Sequence, residues 1–114
     1  MDSKEYQKGV ERTRNKYCSV EDEVKNYCLG MSSEVGKLIG HIDPLKDIWK
    51  GLDEVIIVEE MGDIFWYITA LASTLKIDID EVLKYNLIKL QKRYPDGFDP
   101  FKSIKRNRRK SDKV

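Results

Sequence analysis

The chain has 114 residues, enough for one hydrophobic core and too few for two ordinary domains. Lys and Arg number 21 against 20 Asp and Glu, so a net charge of +1 excludes no class of partner until it is divided by region. The two cysteines, Cys18 and Cys28, are too few for a disulfide framework, and no CxxC pair or Cys/His cluster suggests zinc; they read as reduced thiols filling a core.

The N-terminus, MDSKEYQKGV, is polar where a secretory leader would be apolar, and no stretch approaches the roughly 20 apolar residues of a membrane span. The expectation is a soluble, cytoplasmic protein. A first helix over about Lys4 to Lys16 has a thin apolar face, with Tyr6 and Val10 its only sizeable anchors. From Val20 the apolar residues Val24, Tyr27, Cys28, Met31, Val35, Leu38, Ile39 and Ile42 recur in steps of three and four, which predicts an amphipathic helix from Val20 to Ile42. Ser19 followed by Asp22 resembles a weak capping box at its start, and Pro44 bounds its end.

Residues 43–52 read as a connector with one turn around Pro44 to Lys50. The next segment, DEVIIVEEMGDIFWYITALASTL from Asp53, is apolar on most sides. The β-branched run Val55 to Val58 alone would pass for a strand, but the length of the periodic segment decides for a helix, central in a bundle. Asp78 with Glu81 three residues on marks another helix start, leading into EVLKYNLIKLQKRY, and Pro95 and Gly97 end it.

Amphipathic helices with short connections and no strand alternation predict an all-α fold, a compact bundle of about four helices. A helix apolar nearly all round in so short a chain predicts a homo-oligomer, dimer or tetramer. Residues 1–100 form the helical domain in this reading, and residues 101–114 a basic, flexible tail. That tail holds Lys102, Lys105, Arg106, Arg108, Arg109, Lys110 and Lys113 against Asp112, a net +6 that leaves the remainder at −5. Such runs are more often solvated chain than nucleic-acid contacts, so a nucleic-acid function through KSIKRNRRKSDK is the weaker reading.

Three acids fall on apolar stripes. At about 100° per residue, Glu34 lies about 20° from Tyr27, about 40° from Leu38 and about 60° from Met31, within the stripe of its helix. Glu60 and Asp63, three apart, share a face with Ile56, Ile64 and Tyr67. A buried carboxylate must protonate, pair or bind a cation. All-oxygen donors without Cys or His point to a hard ion, Mg²⁺ or Mn²⁺, which keeps sites open for water and substrate phosphates. A di-iron site would need Glu-x-x-His pairs, for which the single histidine, His41, is badly placed; it reads as a surface or structural residue.

The bland alternative is an intrahelical ion pair, with Lys37 the partner available to Glu34. Glu59 reads as a solvated acid. Trp66 and Tyr67 beside the acids read as packing on general grounds. Asn86, Lys89 and Arg93, in steps of three and four, form a polar, cationic stripe, either a solvated face or a phosphate clamp.

GMSSEVGKL, VEEMGDIFWYI and NLIKLQKRYPDGF, in this order and spacing, resemble the MazG-like family of all-α nucleotide pyrophosphohydrolases. The resemblance implies Mg²⁺-dependent cleavage of a nucleoside triphosphate to the monophosphate and pyrophosphate in a compact helical oligomer. It implies Glu34, Glu60 and Asp63 as metal ligands, with Asn86, Lys89 and Arg93 on the metal and phosphate side of the pocket, and Trp66 or Tyr67 flanking the base. The departure is Lys37, which stands where the family's Glu-x-x-Glu helix has its second acid. It implies either a lost or weakened metal site or a lysine that contacts substrate phosphate. An alternative is a non-catalytic nucleotide-binding or interaction bundle of the same fold, and within enzymes a dUTPase-like or dCTPase-like pyrophosphatase selecting one base.

Overall fold

The computed structural model describes residues 1–16, 18–42 and 53–106. These form five α-helices and no strand: α1 (Ser3–Thr13), α2 (Val20–His41), α3 (Glu54–Thr74), α4 (Ile79–Arg93) and α5 (Pro100–Arg106). The expected turn within the connector 43–52, and the tail beyond residue 106, lie outside the described residues. The chain divides into two compact units, Met1–Ile77 and Asp78–Val114.

In the first unit each helix begins where a side chain satisfies its orphan amides. Asp2 accepts from the Glu5 amide at 2.9 Å, Ser19 from the Asp22 amide at 3.1 Å, and Asp53 from the amides of Val55 and Ile56. Asp2 gave no signal in the sequence reading because the apolar face behind it is so thin. α3 ends in a Schellman arrangement: the Ile77 amide reaches the Ala72 carbonyl at 2.8 Å and the Lys76 amide the Ser73 carbonyl at 3.0 Å. The turn requires a left-handed residue and uses Lys76, at φ 59°, where glycine is the usual occupant.

α3 packs against both α2 and α1. The core is aromatic: Val10, Tyr27 and Ala70 are buried, with Tyr6, Trp66, Tyr67 and Leu71 packed around them. Tyr27 and Trp66 meet edge to face at 5.5 Å, and Trp66 and Tyr67 at 5.2 Å. This geometry explains Gly30 of α2, since a Cβ there would overlap the Tyr67 ring. α1 owes its attachment to polar contacts as much as to Val10. Trp66 Nε1 donates to Thr13 Oγ1 at 2.7 Å, Gln7 Nε2 to Ser73 Oγ at 3.0 Å, and Arg14 Nη1 to Thr74 Oγ1 at 3.0 Å.

Several stripe residues do not enter this core. Val20, Val35 and Ile39 of α2 and Val55, Val58, Met61 and Phe65 of α3 are exposed, because three helices close only one seam of the broad apolar surface that α3 presents. Cys28 is also exposed, correcting its reading as a core filler: it follows the buried Tyr27 by one residue, a rotation of about 100° off the seam. Cys18 is half-buried.

In the second unit Asp78 caps α4 by accepting from the Asp80 amide at 2.9 Å, and Lys84 pairs with Asp80 one turn back at 3.0 Å. Past α4 the chain turns at Gly97, φ 95°, and starts again as α5. Asp99 accepts from the amides of Phe101 and Lys102, and Pro100 takes the first helical position, where its missing N–H costs nothing. The basic segment therefore begins in a short helix rather than as extended tail.

Candidate metal centre

α2 and α3 are held in register by the aromatic seam, and one stretch of their contact is lined by acids. Glu34 from α2 and Glu60 and Asp63 from α3 each offer a carboxylate oxygen, and these atoms lie within 4.8 Å of one another. The Glu34 and Glu60 side chains are only 12% and 15% exposed, while Asp63 is open to solvent. The trio expected from helical spacing is thus brought together across the α2–α3 contact.

Oε2 of Glu34 and Oε2 of Glu60 are enclosed and meet no hydrogen-bond donor among the described residues. Enclosed carboxylate oxygens without donors are costly unless a proton or a cation joins them. The protonation equilibria follow. Glu60 is raised above the ordinary carboxylate range, chiefly because it can hold a proton shared with Glu34 and further because it is desolvated. Glu34 is lowered, first by that same shared proton, which it accepts from Glu60, and then by Lys37, against the opposing influence of burial. Two acids whose oxygens compete for one proton would yield it to a divalent cation of suitable size. On this observation the donor set fits a hard metal ion, which Glu34, Glu60 and Asp63 could hold.

Lys37 stands at the edge of the trio. Its Nζ lies 3.2 Å from Glu34 Oε1, three residues along α2, and its side chain is 57% exposed. Glu34 keeps the ammonium charged, raising Lys37 above its usual range. The intrahelical pair and the acid cluster therefore coexist, one oxygen of Glu34 facing the lysine and the other enclosed.

His41 is the residue that sequence reasoning set aside and the structure brings in. Its Nε2 lies 3.8 Å from Glu60 Oε1. The signal was available, since His41 follows Glu34 by seven residues and so shares its face of α2 to within about 20°. Tyr6 of α1 also approaches, its phenol raised first by burial and then by the charge of Asp63. Glu59 is exposed, as expected of a solvated acid.

The remaining predicted residues are placed separately. Trp66 and Tyr67 belong to the aromatic packing around Tyr27, with the indole N–H spent on Thr13. Asn86, Lys89 and Arg93 lie on α4 of the second unit, Asn86 exposed and the two cations half-buried, with the Arg93 guanidinium 5.9 Å from the centre of the Tyr94 ring.

The described chain is all-helical, with a carboxylate cluster between two of its helices that could hold a metal ion. The family is settled by comparison: the profile of the MazG nucleotide pyrophosphohydrolase domain matches residues 22–98, most of the chain, and the protein belongs to that family. Comparisons with curated proteins and with solved structures found no match. No described helix is long and apolar enough to cross a membrane.

Proposed function

We propose that the protein is a Mg²⁺-dependent nucleoside triphosphate pyrophosphohydrolase, releasing a nucleoside monophosphate and pyrophosphate. The observation that supports this most directly is the convergence of Glu34, Glu60 and Asp63, with two enclosed oxygens lacking donors, in a chain of the MazG family. Glu34, Glu60 and Asp63 would hold the ion, Mg²⁺ or in its place Mn²⁺. When bound, the ion would supply positive charge to the triphosphate oxygens and to the departing pyrophosphate.

The chain's own groups do the rest. A carboxylate of the trio orients a water and takes its proton as the water oxygen bonds to the α-phosphorus and the bond to the bridging oxygen breaks. Lys37, mostly exposed, would donate from Nζ to a phosphate oxygen. Asn86, Lys89 and Arg93 are assigned to phosphate binding on the order of the motifs and their shared stripe on α4. Trp66 and Tyr67 would flank the base as a fixed aromatic wall, the packing of both rings around Tyr27 making them rigid.

We also assign residues 1–100 to one functional domain, a cytoplasmic location, and a homodimer or homotetramer. The exposed Val55, Val58 and Phe65, at 66%, 67% and 53%, support the oligomer as apolar surface suited to a second copy. Light scattering on the purified chain reads the assembly.

The Lys37–Glu34 pair supports a second reading, a bundle that binds a nucleotide without cleaving it, because one oxygen of a metal-binding acid is already engaged. Pyrophosphate release from a panel of standard and modified nucleoside triphosphates, for wild type and Lys37→Glu, separates the two. Turnover by the wild type establishes the enzyme. Thermal stabilisation by Mg²⁺ and nucleotide without turnover in either protein establishes the binder. Neither turnover nor stabilisation overturns both.

A further inference from the structure

We infer that Thr13 of α1 is a positioning residue for the nucleotide base: it sets the orientation of Trp66, which makes the first helix part of the base side of the site. The inference rests on the reading above that Trp66 flanks the base. Thr13 is the last residue of α1, where backbone carbonyls run out of amide partners. Its hydroxyl donates its one proton to the Val10 carbonyl at 3.0 Å, so only lone pairs remain for a neighbour. An indole N–H can only donate. Trp66 Nε1 does so, to Thr13 Oγ1 at 2.7 Å. The bond has one polarity, and it satisfies both members.

What the indole gains from this bond follows from its other contacts. The rings of Tyr27 and Tyr67 stand at 84° and 89° to it, edge to face, which restricts its tilt. Those contacts still leave the indole two ways round, because the torsion that turns an aromatic ring has two broad wells. Only one of them brings Nε1 to Thr13. The β-branched threonine is itself stiff about its first torsion, so the acceptor stays in place.

Trp66 is half-buried and keeps some ring surface open. A base stacking on that surface meets a ring already fixed, with little rotamer freedom left to lose. Asp63 stands three residues before Trp66, one turn away on the same side of α3, so a base on the indole belongs to a nucleotide whose phosphates reach the acids. Thr13 therefore acts on the base and not on the phosphates.

The test separates the two. With Mg²⁺ present, affinities for the α,β-imido analogues of dATP, dGTP, dCTP and dTTP and for inorganic tripolyphosphate are measured calorimetrically on wild type, Thr13→Val and Thr13→Ser. Thr13→Val keeps the shape and loses the hydroxyl. It should weaken the best-bound analogue by about three- to tenfold and leave tripolyphosphate binding unchanged, while Thr13→Ser recovers most of the loss. The Trp66 indole N–H resonance, told from that of Trp49 by its absence in Trp66→Phe, should move upfield in Thr13→Val and stay near its wild-type position in Thr13→Ser. Trp66→Phe removes the same bond from the other side and should show the same base-selective loss even if Thr13→Val folds poorly. An indole resonance that does not move overturns the inference, as does analogue affinity that stays at the wild-type level in both Thr13→Val and Trp66→Phe. An equal loss for analogue and tripolyphosphate also overturns it, since Thr13 would then be only a structural tie between α1 and α3. Wild type that binds the analogues no more tightly than tripolyphosphate overturns the base reading of Trp66, and wild type that binds neither overturns the proposed function, so the failures are distinguishable.

Discussion

The α2–α3 pair has two stretches of opposite character. Around Tyr27, Trp66 and Ala70 the helices meet through fitted rings, with indole, amide and guanidinium groups tied to Thr13, Ser73 and Thr74. Around Glu34, Glu60 and Asp63 the same helices bring like charges together and leave enclosed oxygens without donors. A fold tolerates the second arrangement only because the first is strong enough to impose it. Packing and the proposed chemistry are thus divided along one helix pair, and each end is open to separate attack.

The largest effect should come from the charged end and appear in function alone. Glu60→Gln should lower metal-dependent turnover by at least 10–100-fold, the loss typical even of groups that merely orient a metal's ligands. Its melting temperature should stay equal to the wild type's or rise, because an enclosed acid is replaced by a neutral isostere. A variant that melts much earlier would mean that the acids are structural. The mirror experiment is Trp66→Ala, which should cost about 3 kcal/mol in denaturant unfolding by emptying the aromatic seam and orphaning Thr13. Gly30→Ala should cost about 1–3 kcal/mol, since the added methyl must displace the Tyr67 ring.

The smallest effect concerns Glu11, which pairs with Lys16 at 3.2 Å and Arg14 at 3.4 Å. Burial is the largest single influence on it and pushes upward, but hydrogen bonds from Lys16 and Ser73 together with the charge of Arg14 outweigh it and leave the carboxyl below its ordinary range. The unfolded chain then binds the proton more readily, so the contribution of Glu11 is present above the unfolded value and is lost as pH falls through the lower folded value. Thermal melts of wild type and Glu11→Gln should differ near neutrality and converge in acid. A difference that persists at low pH would assign the effect to packing.

Much of this division was legible in the sequence. The starts at Ser19, Asp53 and Asp78 could be located because a capping side chain precedes a periodic apolar run, and the acid trio because helical spacing fixes which face a residue takes. The end of α3 was not, because its left-handed turn uses Lys76 and gives no glycine to notice. α5 was obscured by its charge, although Asp99-Pro100 is a sound helix start. Cys28 and Ile39 were expected inside and lie outside, since periodicity identifies an apolar stripe without saying how much of it three helices can cover. The approach of His41 to Glu60 joins residues on different helices, and only packing decides such a distance.

The Lys37 ammonium acts as a permanent counter-ion. Bringing three carboxylates together between two helices would oppose the docking of α2 on α3, and a mobile cation could relieve that opposition only at concentrations near its dissociation constant. A tethered one, 3.2 Å from Glu34, is present in every copy at every ion concentration. The helix pair can therefore assemble without a metal ion, unlike small domains whose fold waits for the ion. On the proposed reading ion loading is a late event on a finished scaffold, and chelation should silence the protein without unfolding it.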